Sequence, residues 1–163
     1  MSPFQLMDNP GFYLVNEPVT NEDILSKASE IVLEQVKNKD VFTEPDKVRE
    51  LLKYKISALE YEVFVALFLD NRHRLIIYKE LFRGTIDGAS VYSREVVKEA
   101  LAFNAAAMIV AHNHPSGVAE PSQADERITV RLKDALALVD IRLLDHLIVG
   151  CDEIVSLAER GRI

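Results

Sequence analysis

A run of seven apolar residues, Val63–Leu69, constrains the fold more than any other feature of this sequence. Apolar and polar residues do not alternate along it, and valine and phenylalanine, which favour strands, make up much of the run. A strand with this pattern is buried on both faces, so it must lie inside the protein rather than at an exposed surface. Asp70 and Asn71 then form a turn, and residues 75–78 resume the apolar pattern, which predicts a second strand and a hairpin.

Helical patterns and shorter strand patterns surround this hairpin. The predicted helices cover approximately residues 20–37, 43–55, 93–101 and 122–139, and the remaining predicted strands cover residues 106–111, 141–149 and 154–156. Thr20, Ser93 and Ser122 are suitable N-caps for three of these helices, whereas residues 1–18 show no sustained period and are predicted to be an extended arm. Helices and strands alternate without strict βαβ repetition, so we expect an α/β fold in which helices flank a mixed β-sheet, in two or three layers.

The composition indicates a soluble protein of one domain. Apolar residues make up 48% and charged residues 28% of the 163 residues, a balance typical of a globular domain. Cys151 is the single cysteine, so no intramolecular disulfide can form, which favours the cytoplasm. Residues 1–10 carry neither the basic nor the apolar part of a signal peptide, and no apolar run approaches the roughly 20 residues of a membrane helix. We therefore expect no association with a membrane.

The charge of the chain argues against nucleic acid as its main partner. The formal net charge is −7, and the acidic excess is spread along the chain. Proteins that bind nucleic acid tightly carry a basic patch or stripe. Here the basic residues form short clusters, and Arg127, Arg131 and Lys133 fit the solvated face of a helix. We expect any binding of nucleic acid to be weak, and the sequence leaves the oligomeric state open.

The segment that follows the predicted strand at residues 106–111 carries the residues best suited to chemistry. His112 and His114 are separated by one residue at the end of a strand, where side chains at i and i+2 lie on the same face. Proline and glycine then interrupt regular structure, and Asp125 lies near the start of the next helix, so the loop can bring its carboxylate back over the histidines. Two imidazoles and a carboxylate are the ligands of a catalytic zinc site, with a fourth position left for water.

Each of these residues also has a structural explanation. A His-x-His pair in a loop is often an exposed polar pair or part of a hydrogen-bond network. Asp125 fits the first turn of a helix, where the helix dipole stabilises a carboxylate, and Ser122 fits an N-cap. His146 interrupts an apolar strand and is expected to be a hydrogen-bonded buried residue or a support for a ligand, with Asp145 on the opposite face. The combination of residues at one strand–loop–helix junction favours the metal site.

The motif formed by His112, His114, Ser122 and Asp125 resembles the JAMM motif of the MPN-type metalloproteases. The stretch Ala111-His-Asn-His-Pro-Ser-Gly117, followed by Pro121-Ser122, is more closely similar to the RadC family of bacterial proteins. The similarity extends to Leu81-Phe-Arg-Gly-Thr85, Asn104-Ala-Ala-Ala107, Leu144-Asp-His-Leu-Ile-Val-Gly150 and Ser156-Leu-Ala-Glu-Arg-Gly161. It covers about residues 45–163 and leaves residues 1–44 as an N-terminal arm and helix. It implies the MPN/JAB1 architecture, which is similar to that of cytidine deaminases.

The resemblance also implies a role for each residue of the motif. His112, His114 and Asp125 would bind one zinc ion, which activates a water molecule for attack. Ser122 would donate a hydrogen bond to the oxyanion that forms when water adds to an amide carbonyl. The implied activity is that of a metallopeptidase acting on a peptide or protein substrate.

This chemistry needs a general base near the water, and two glutamates are candidates. In the JAMM enzymes this glutamate lies at the start of an earlier strand, and the family pattern has an acid two residues before the phenylalanine that is Phe64 here. Glu62 occupies that position, so we expect it to be the base, and Glu80 on the next strand is the alternative. If the strand at Val63–Leu69 pairs with the strand at residues 106–111, Glu62 can reach the water and Glu80 is one strand further away.

Three functions remain open on the sequence. The first is a zinc-dependent hydrolase of the metallopeptidase type, which the complete ligand set favours. The second is a protein associated with DNA repair or processing, the role with which the RadC family is historically connected. The third is a non-catalytic metal-binding scaffold. Longer family members carry an N-terminal helix-hairpin-helix module, which we do not find here, so the chain resembles the short, single-domain members.

Overall fold

The computed structural model describes residues 3–37, 39–41, 44–86 and 88–163. Its helices are α1 (Asn21–Val36), α2 (Pro45–Ile56), α3 (Ser93–Ala102) and α4 (Gln123–Ala137). Its strands are β1 (Phe4–Leu6), β2 (Tyr13–Val15), β3 (Val63–Leu69), β4 (Leu75–Arg83), β5 (Ala107–Asn113), β6 (Arg142–Val149) and β7 (Ile154–Ser156). Within these ranges, no helix is long and apolar enough to cross a membrane.

Five of these strands form one sheet in the order β4-β3-β5-β6-β7. Strands β5 and β6 run parallel and the other neighbouring pairs are antiparallel, so the sheet is mixed, as the sequence predicts. Strand β3 pairs with β4 on one side and with β5 on the other, and Phe64 lies opposite His112. This order places the carboxyl end of β5 beside the amino end of β3.

Two apolar cores lie on opposite faces of this sheet. The side chains of β3 alternate between them, because Val65 and Leu67 pack with α1 and α2, whereas Phe64 and Phe68 pack with α3 and α4. All seven residues of β3 are buried. The domain therefore has three layers with the sheet in the middle, and the lack of alternation in the sequence of β3 follows from burial on both faces. The predicted fold class, helices flanking a mixed sheet, is confirmed.

A bulge in β6 determines the face on which its polar residues lie. The register of β5 against β6 shifts between Met108 and Ile109, which makes Leu144 an extra residue in β6. Such a bulge changes the alternation of the side chains beyond it. As a result, Leu143 and His146, which an unbroken strand would place on opposite faces, both face the layer formed by α3 and α4.

The N-terminal part of the chain differs from its prediction. The extended arm predicted at residues 1–18 is, in its described part, a hairpin in which β1 pairs antiparallel with β2. These strands have three residues each, too few for a period to be visible in the sequence. Thr20 caps α1 as predicted, whereas Ser93 is the first residue of α3 and Tyr92 is at the cap position. Thr43, the predicted start of the second helix, lies outside the described residues.

Candidate metal centre

The two histidines lie where β5 ends. His112 belongs to β5 and His114 follows the last residue of that strand, so both side chains leave the same face of the sheet. The N–H of His114 donates a hydrogen bond of 2.9 Å to the carbonyl of Val149 at the end of β6, so pairing with the neighbouring strand continues to this point. His112 is buried and His114 is half-buried. A central strand thus presents two imidazoles at its carboxyl end.

The start of α4 brings Asp125 to the histidines. Ser122 is the N-cap of this helix, and its hydroxyl accepts a hydrogen bond of 3.1 Å from the N–H of Asp125. In return, the carboxylate of Asp125 accepts hydrogen bonds from the N–H and from the hydroxyl of Ser122, each over 2.7 Å. This capping box fixes the carboxylate in the first turn of the helix, where the helix dipole also stabilises a negative charge.

Gly117 allows the loop between β5 and α4 to turn back towards His114. Its φ of +85° lies in the left-handed region that favours glycine, and a Cβ here would lie 2.8 Å from the Sγ of Cys151. In this turn the carbonyl of Val118 accepts a hydrogen bond of 2.7 Å from Nδ1 of His114. Because a carbonyl oxygen can only accept, Nδ1 of His114 carries the proton and Nε2 is left to bind a metal ion.

The ligand atoms of three residues converge on one point. Nε2 of His112 lies 3.0 Å from Nε2 of His114 and 3.2 Å from Oδ1 of Asp125. Nε2 of His114 lies 3.6 Å from Oδ2 of Asp125. In a tetrahedral zinc site with bonds of about 2.0–2.1 Å, the ligand atoms lie roughly 3.3 Å apart. The three residues therefore fit a metal ion, and their remaining side opens to a cavity.

The electrostatics of this cluster favour a cation. Burial would raise the pKa of Asp125, but its contacts with the imidazoles of His112 and His114 outweigh burial and hold this pKa well below its ordinary value. The hydrogen bond to Asp125 raises the pKa of His114 above its ordinary value, against the effect of burial. The carboxylate is thus ionised at neutral pH and attracts a proton or a metal ion to the same point, so the two compete.

His146 holds His112 from the side opposite the cluster. Nδ1 of His112 lies 2.8 Å from Nε2 of His146, and Nδ1 of His146 lies 2.6 Å from Oγ1 of Thr129. Phe64 covers both imidazoles, stacked on His112 and edge-on to His146. Burial lowers the pKa of His146 well below its ordinary value, so the ring is neutral. As predicted, His146 is a buried, hydrogen-bonded residue, and Asp145 faces the other side of the sheet.

Glu62 lies in the same cavity as the ligand cluster. The cavity has a volume of about 450 Å³, and its polar lining includes Glu62, His112, His114, Ser122 and Asp125. Oε1 of Glu62 accepts a hydrogen bond of 3.1 Å from the N–H of Ala89. The negative charge of Glu62 also raises the pKa of His114, although Asp125 is the main cause of that rise. Glu80 lies on β4 in a separate hollow beside Glu99, so the structure brings Glu62, and not Glu80, together with the histidines.

A close backbone turn holds Glu62 in this position. The carbonyl of Glu62 accepts a hydrogen bond from the N–H of Gly84, and its N–H donates to the carbonyl of Thr85, each over 2.8 Å. The chain then returns, so that the N–H of Ala89 reaches the carboxylate of Glu62. A Cβ at Gly84 would overlap the carbonyl group of Gly88, so the turn needs glycine at this position.

Asn113, the residue between the two histidines, has a role that the sequence does not indicate. Its side chain points away from the cluster and is buried. Oδ1 accepts a hydrogen bond of 2.8 Å from the N–H of Val63, and Nδ2 donates one of 3.0 Å to the carbonyl of Tyr61. Since Tyr61 and Val63 flank Glu62, this amide fixes the backbone of Glu62 against the strand that carries the histidines.

Thr129 is the second residue that sequence reasoning missed. It is 1% exposed and lies on the buried face of α4 with Leu132 and Leu136. A single polar residue within this apolar stripe is the signal that could have identified it. Its hydroxyl donates a hydrogen bond of 2.6 Å to the carbonyl of Asp125, so it connects α4 to both Asp125 and His146.

Most of the chain is similar to proteins already known. Residues 42–162 match the RadC-like JAB domain. The chain is 56% identical over 149 residues to a UPF0758 protein of Vibrio cholerae, an alignment that covers 91% of this chain and 94% of that protein. It is 65% identical over 126 residues to a UPF0758 protein of Nitrosococcus oceani, and 66% identical over 122 residues to one of Thioalkalivibrio sulfidiphilus. These two alignments cover 77% and 75% of this chain but 56% and 54% of the relatives, so the chain spans little more than half of their length.

Proposed function

This chain belongs to the RadC-like JAB domain family, and from that premise we propose that it is a zinc-dependent hydrolase of the metallopeptidase type. The observation that carries the proposal is the convergence of His112, His114 and Asp125 on one point of a cavity that Glu62 also lines. Metal ligands and a proton acceptor within one cavity are what metal-assisted hydrolysis requires.

Zinc is the metal that this ligand set favours. Two imidazole nitrogens and one carboxylate, with a fourth position open, are typical of catalytic zinc sites. Sites for magnesium and calcium are built from oxygen ligands instead. When bound, the ion would lower the pKa of a water molecule and polarise a carbonyl group.

The side chains of the protein would supply proton transfer and hydrogen bonding. Glu62 would accept a proton from water as the water oxygen adds to the carbonyl carbon of an amide. It would return the proton to the nitrogen as the C–N bond breaks, so that the products are a carboxylic acid and an amine. Ser122 would donate a hydrogen bond to the carbonyl oxygen in the transition state, in exchange for its present hydrogen bond to Asp125.

The lining of the cavity favours an amide over a phosphodiester. Apart from the histidines, its ionisable lining residues in the described part of the chain are Glu62 and Asp125, and neither lysine nor arginine lines it there. A phosphodiester carries a negative charge, and proteins bind it largely through basic side chains. Ile86, Val91 and Ile128 add apolar surface close to the cluster. The substrate that fits is a peptide or isopeptide bond beside an apolar side chain, in a peptide or a protein.

A matched pair of substitutions tests this proposal. Protein loaded with Zn²⁺ is assayed with a library of fluorogenic peptides and with single-stranded and double-stranded nucleic acid. We expect peptide hydrolysis, and we expect Glu62→Gln to lower its rate by about 100-fold or more with unchanged zinc content. Glu80→Gln is the same substitution on the neighbouring strand β4, and this control should keep the activity.

Other outcomes would assign a different function. Stoichiometric zinc without hydrolysis of any substrate would support a metal-binding scaffold. Cleavage of nucleic acid alone would support a role in DNA processing. Loss of activity in Glu80→Gln but not in Glu62→Gln would exchange the roles of the two glutamates.

A further inference from the structure

A buried row of hydrogen bonds leads from the ligand cluster into the protein. It joins Nδ1 of His112 to Nε2 of His146 over 2.8 Å, and Nδ1 of His146 to Oγ1 of Thr129 over 2.6 Å. The same oxygen of Thr129 lies 2.6 Å from the carbonyl oxygen of Asp125. His112, His146 and Thr129 are each at most 2% exposed, so solvent does not compete for these bonds. The row therefore connects one proposed ligand, His112, to another, Asp125.

The contact between Thr129 and Asp125 determines the direction of the whole row. Two oxygen atoms 2.6 Å apart need a proton between them, and a carbonyl oxygen has none to donate. The hydroxyl of Thr129 therefore donates to the carbonyl of Asp125. Because a hydroxyl has a single proton, Oγ1 of Thr129 must be an acceptor towards His146. Nδ1 of His146 consequently carries a proton.

The same reasoning continues to His112. His146 is fully buried and neither of its ring nitrogens is hydrogen-bonded to a carboxylate among the described residues, so it is an uncharged imidazole with one ring proton. Since Nδ1 holds that proton, Nε2 of His146 accepts, and Nδ1 of His112 donates to it. In the neutral form of His112, Nε2 is then left with a lone pair, and it is this atom that faces His114 and Asp125.

We propose that His146 and Thr129 are positioning residues that hold His112 in the tautomer whose Nε2 can bind the metal ion. This inference rests on the proposed metal site and adds to it. The second ring N–H of a histidine ligand usually donates a hydrogen bond to a carbonyl, a carboxylate or water, as Nδ1–H of His114 does to the carbonyl of Val118. His112 instead donates to an imidazole, which can accept or donate at either nitrogen. Its tautomer is therefore decided one step further away, at Thr129.

The contribution of Thr129 becomes clear when the direction of each hydrogen bond in the row is reversed. If its hydroxyl pointed to His146, the proton of His146 would lie on Nε2, and Nδ1 of His112 would have to accept it. The proton of His112 would then lie on Nε2, inside the ligand cluster, where it would block the metal ion. The carbonyl of Asp125, one helical turn before Thr129, excludes this arrangement.

Nuclear magnetic resonance of the metal-free protein tests the assignment directly. In protein labelled with ¹⁵N in its histidines, long-range ¹H–¹⁵N spectra report which ring nitrogens of His146 and His112 are protonated. We expect a proton on Nδ1 of both residues and none on Nε2 of His146. A proton on Nε2 of His146 would overturn the proposal, whether or not the protein binds zinc.

Substitutions on α4 test the consequence for the metal ion. Thr129→Val keeps the shape of the side chain without the hydroxyl, whereas Thr129→Ser keeps the hydroxyl. Leu132→Val, on the same buried face of α4, controls for a loss of packing. In competition with a chelator, we expect Thr129→Val to weaken Zn²⁺ binding by about 10–100-fold and the other two variants by less than about threefold. Thr129→Val should also shift the ring proton of His146 towards Nε2, and Thr129→Ser should not.

The outcomes separate this inference from the proposed function. Unchanged tautomers and unchanged Zn²⁺ affinity in Thr129→Val would overturn the positioning role and leave the metal site intact. Failure of the unsubstituted protein to bind Zn²⁺ would overturn the proposed function, and the tautomer of His146 in the metal-free protein would still decide the present inference.

Discussion

Oδ1 of Asn113 accepts a hydrogen bond of 2.8 Å from the backbone N–H of Val63. This contact joins the residue between the two histidines to the residue that follows Glu62. The amide nitrogen of Asn113 completes the bridge by donating to the carbonyl of Tyr61 over 3.0 Å. One buried side chain therefore keeps the strand of the proposed ligands aligned with the proposed base.

Asn113→Ala should destabilise the protein. The substitution leaves the N–H of Val63 without its acceptor, and a buried donor without a partner costs about 1–3 kcal/mol in the free energy of unfolding. Unfolding in urea measures this loss. Asn71→Ala, in an exposed turn, is the control and should change the free energy by less than about 0.5 kcal/mol. Equal stability of the two variants would contradict the prediction.

Gly84→Ala should remove hydrolysis but leave metal binding intact. The new Cβ would overlap the carbonyl group of Gly88, so the loop must move and the N–H of Ala89 must leave the carboxylate of Glu62. The proposed ligands belong to β5, the loop that follows it and α4, and none of them belongs to this turn, although Gly88 and Ala89 line the same cavity. Peptide hydrolysis and zinc content are measured together. Gly161→Ala is the control for backbone strain without a clash, because its φ of +69° disfavours alanine whereas its Cβ would meet no atom within 4 Å. Parallel loss of zinc and activity would show that the turn also supports the ligands.

Part of the stability of the metal-free protein should come from protonated His114. This part should be lost as the pH rises through the folded-state pKa of His114. The hydrogen bond to Asp125 raises this pKa above 6.5, so the folded state retains a proton that the unfolded state releases. The stabilisation is complete below pH 6.5 and disappears above the raised pKa. Thermal unfolding in the presence of a chelator, between about pH 6 and pH 9, measures it.

His114→Gln is the control for this pH profile. The difference in stability between this variant and the unsubstituted protein separates the contribution of His114 from that of His146. The pKa of His146 is lowered by burial. Added Zn²⁺ should stabilise the unsubstituted protein more at high pH than at low pH, because the ion must displace the proton from the cluster. A stabilisation by Zn²⁺ that grows as the pH falls would contradict both the pKa direction and the ligand assignment.

The fold should not depend on the proposed metal ion. Both apolar cores are built from strands and helices that do not depend on the ligand cluster at the end of β5. Circular dichroism after treatment with a chelator should therefore keep its α/β spectrum, and the double variant His112→Ala with His114→Ala should also fold while it loses zinc. A coil spectrum after chelation would make the metal structural, as it is in zinc fingers.

The protein should bind DNA only weakly. Its net charge is −7, and neutralisation of phosphates provides most of the non-specific affinity for DNA. Fluorescence anisotropy with a labelled duplex, in about 150 mM salt, should give a dissociation constant no tighter than about 10⁻⁶ M. Tighter binding would favour the role in DNA processing over the proposed hydrolase.

Features of this protein that depend on residues close together along the chain can be predicted from the sequence. The burial of β3 on both faces follows from the lack of alternation in Val63–Leu69. The grouping of His112, His114 and Asp125 follows from a strand, a short loop and a capped helix in direct succession, since a short connection leaves these side chains few other places to lie.

The residues that complete the site from distant parts of the chain cannot be predicted in this way. Asn113 reaches the backbone on either side of Glu62 because β5 pairs with β3, and His146 reaches His112 because a bulge changes the phase of β6. Thr129 meets His146 because α4 packs on that face of the sheet. A periodic pattern indicates which face a side chain occupies. The partner on that face depends on strand order, register and helix packing, and these are set by contacts between distant parts of the chain.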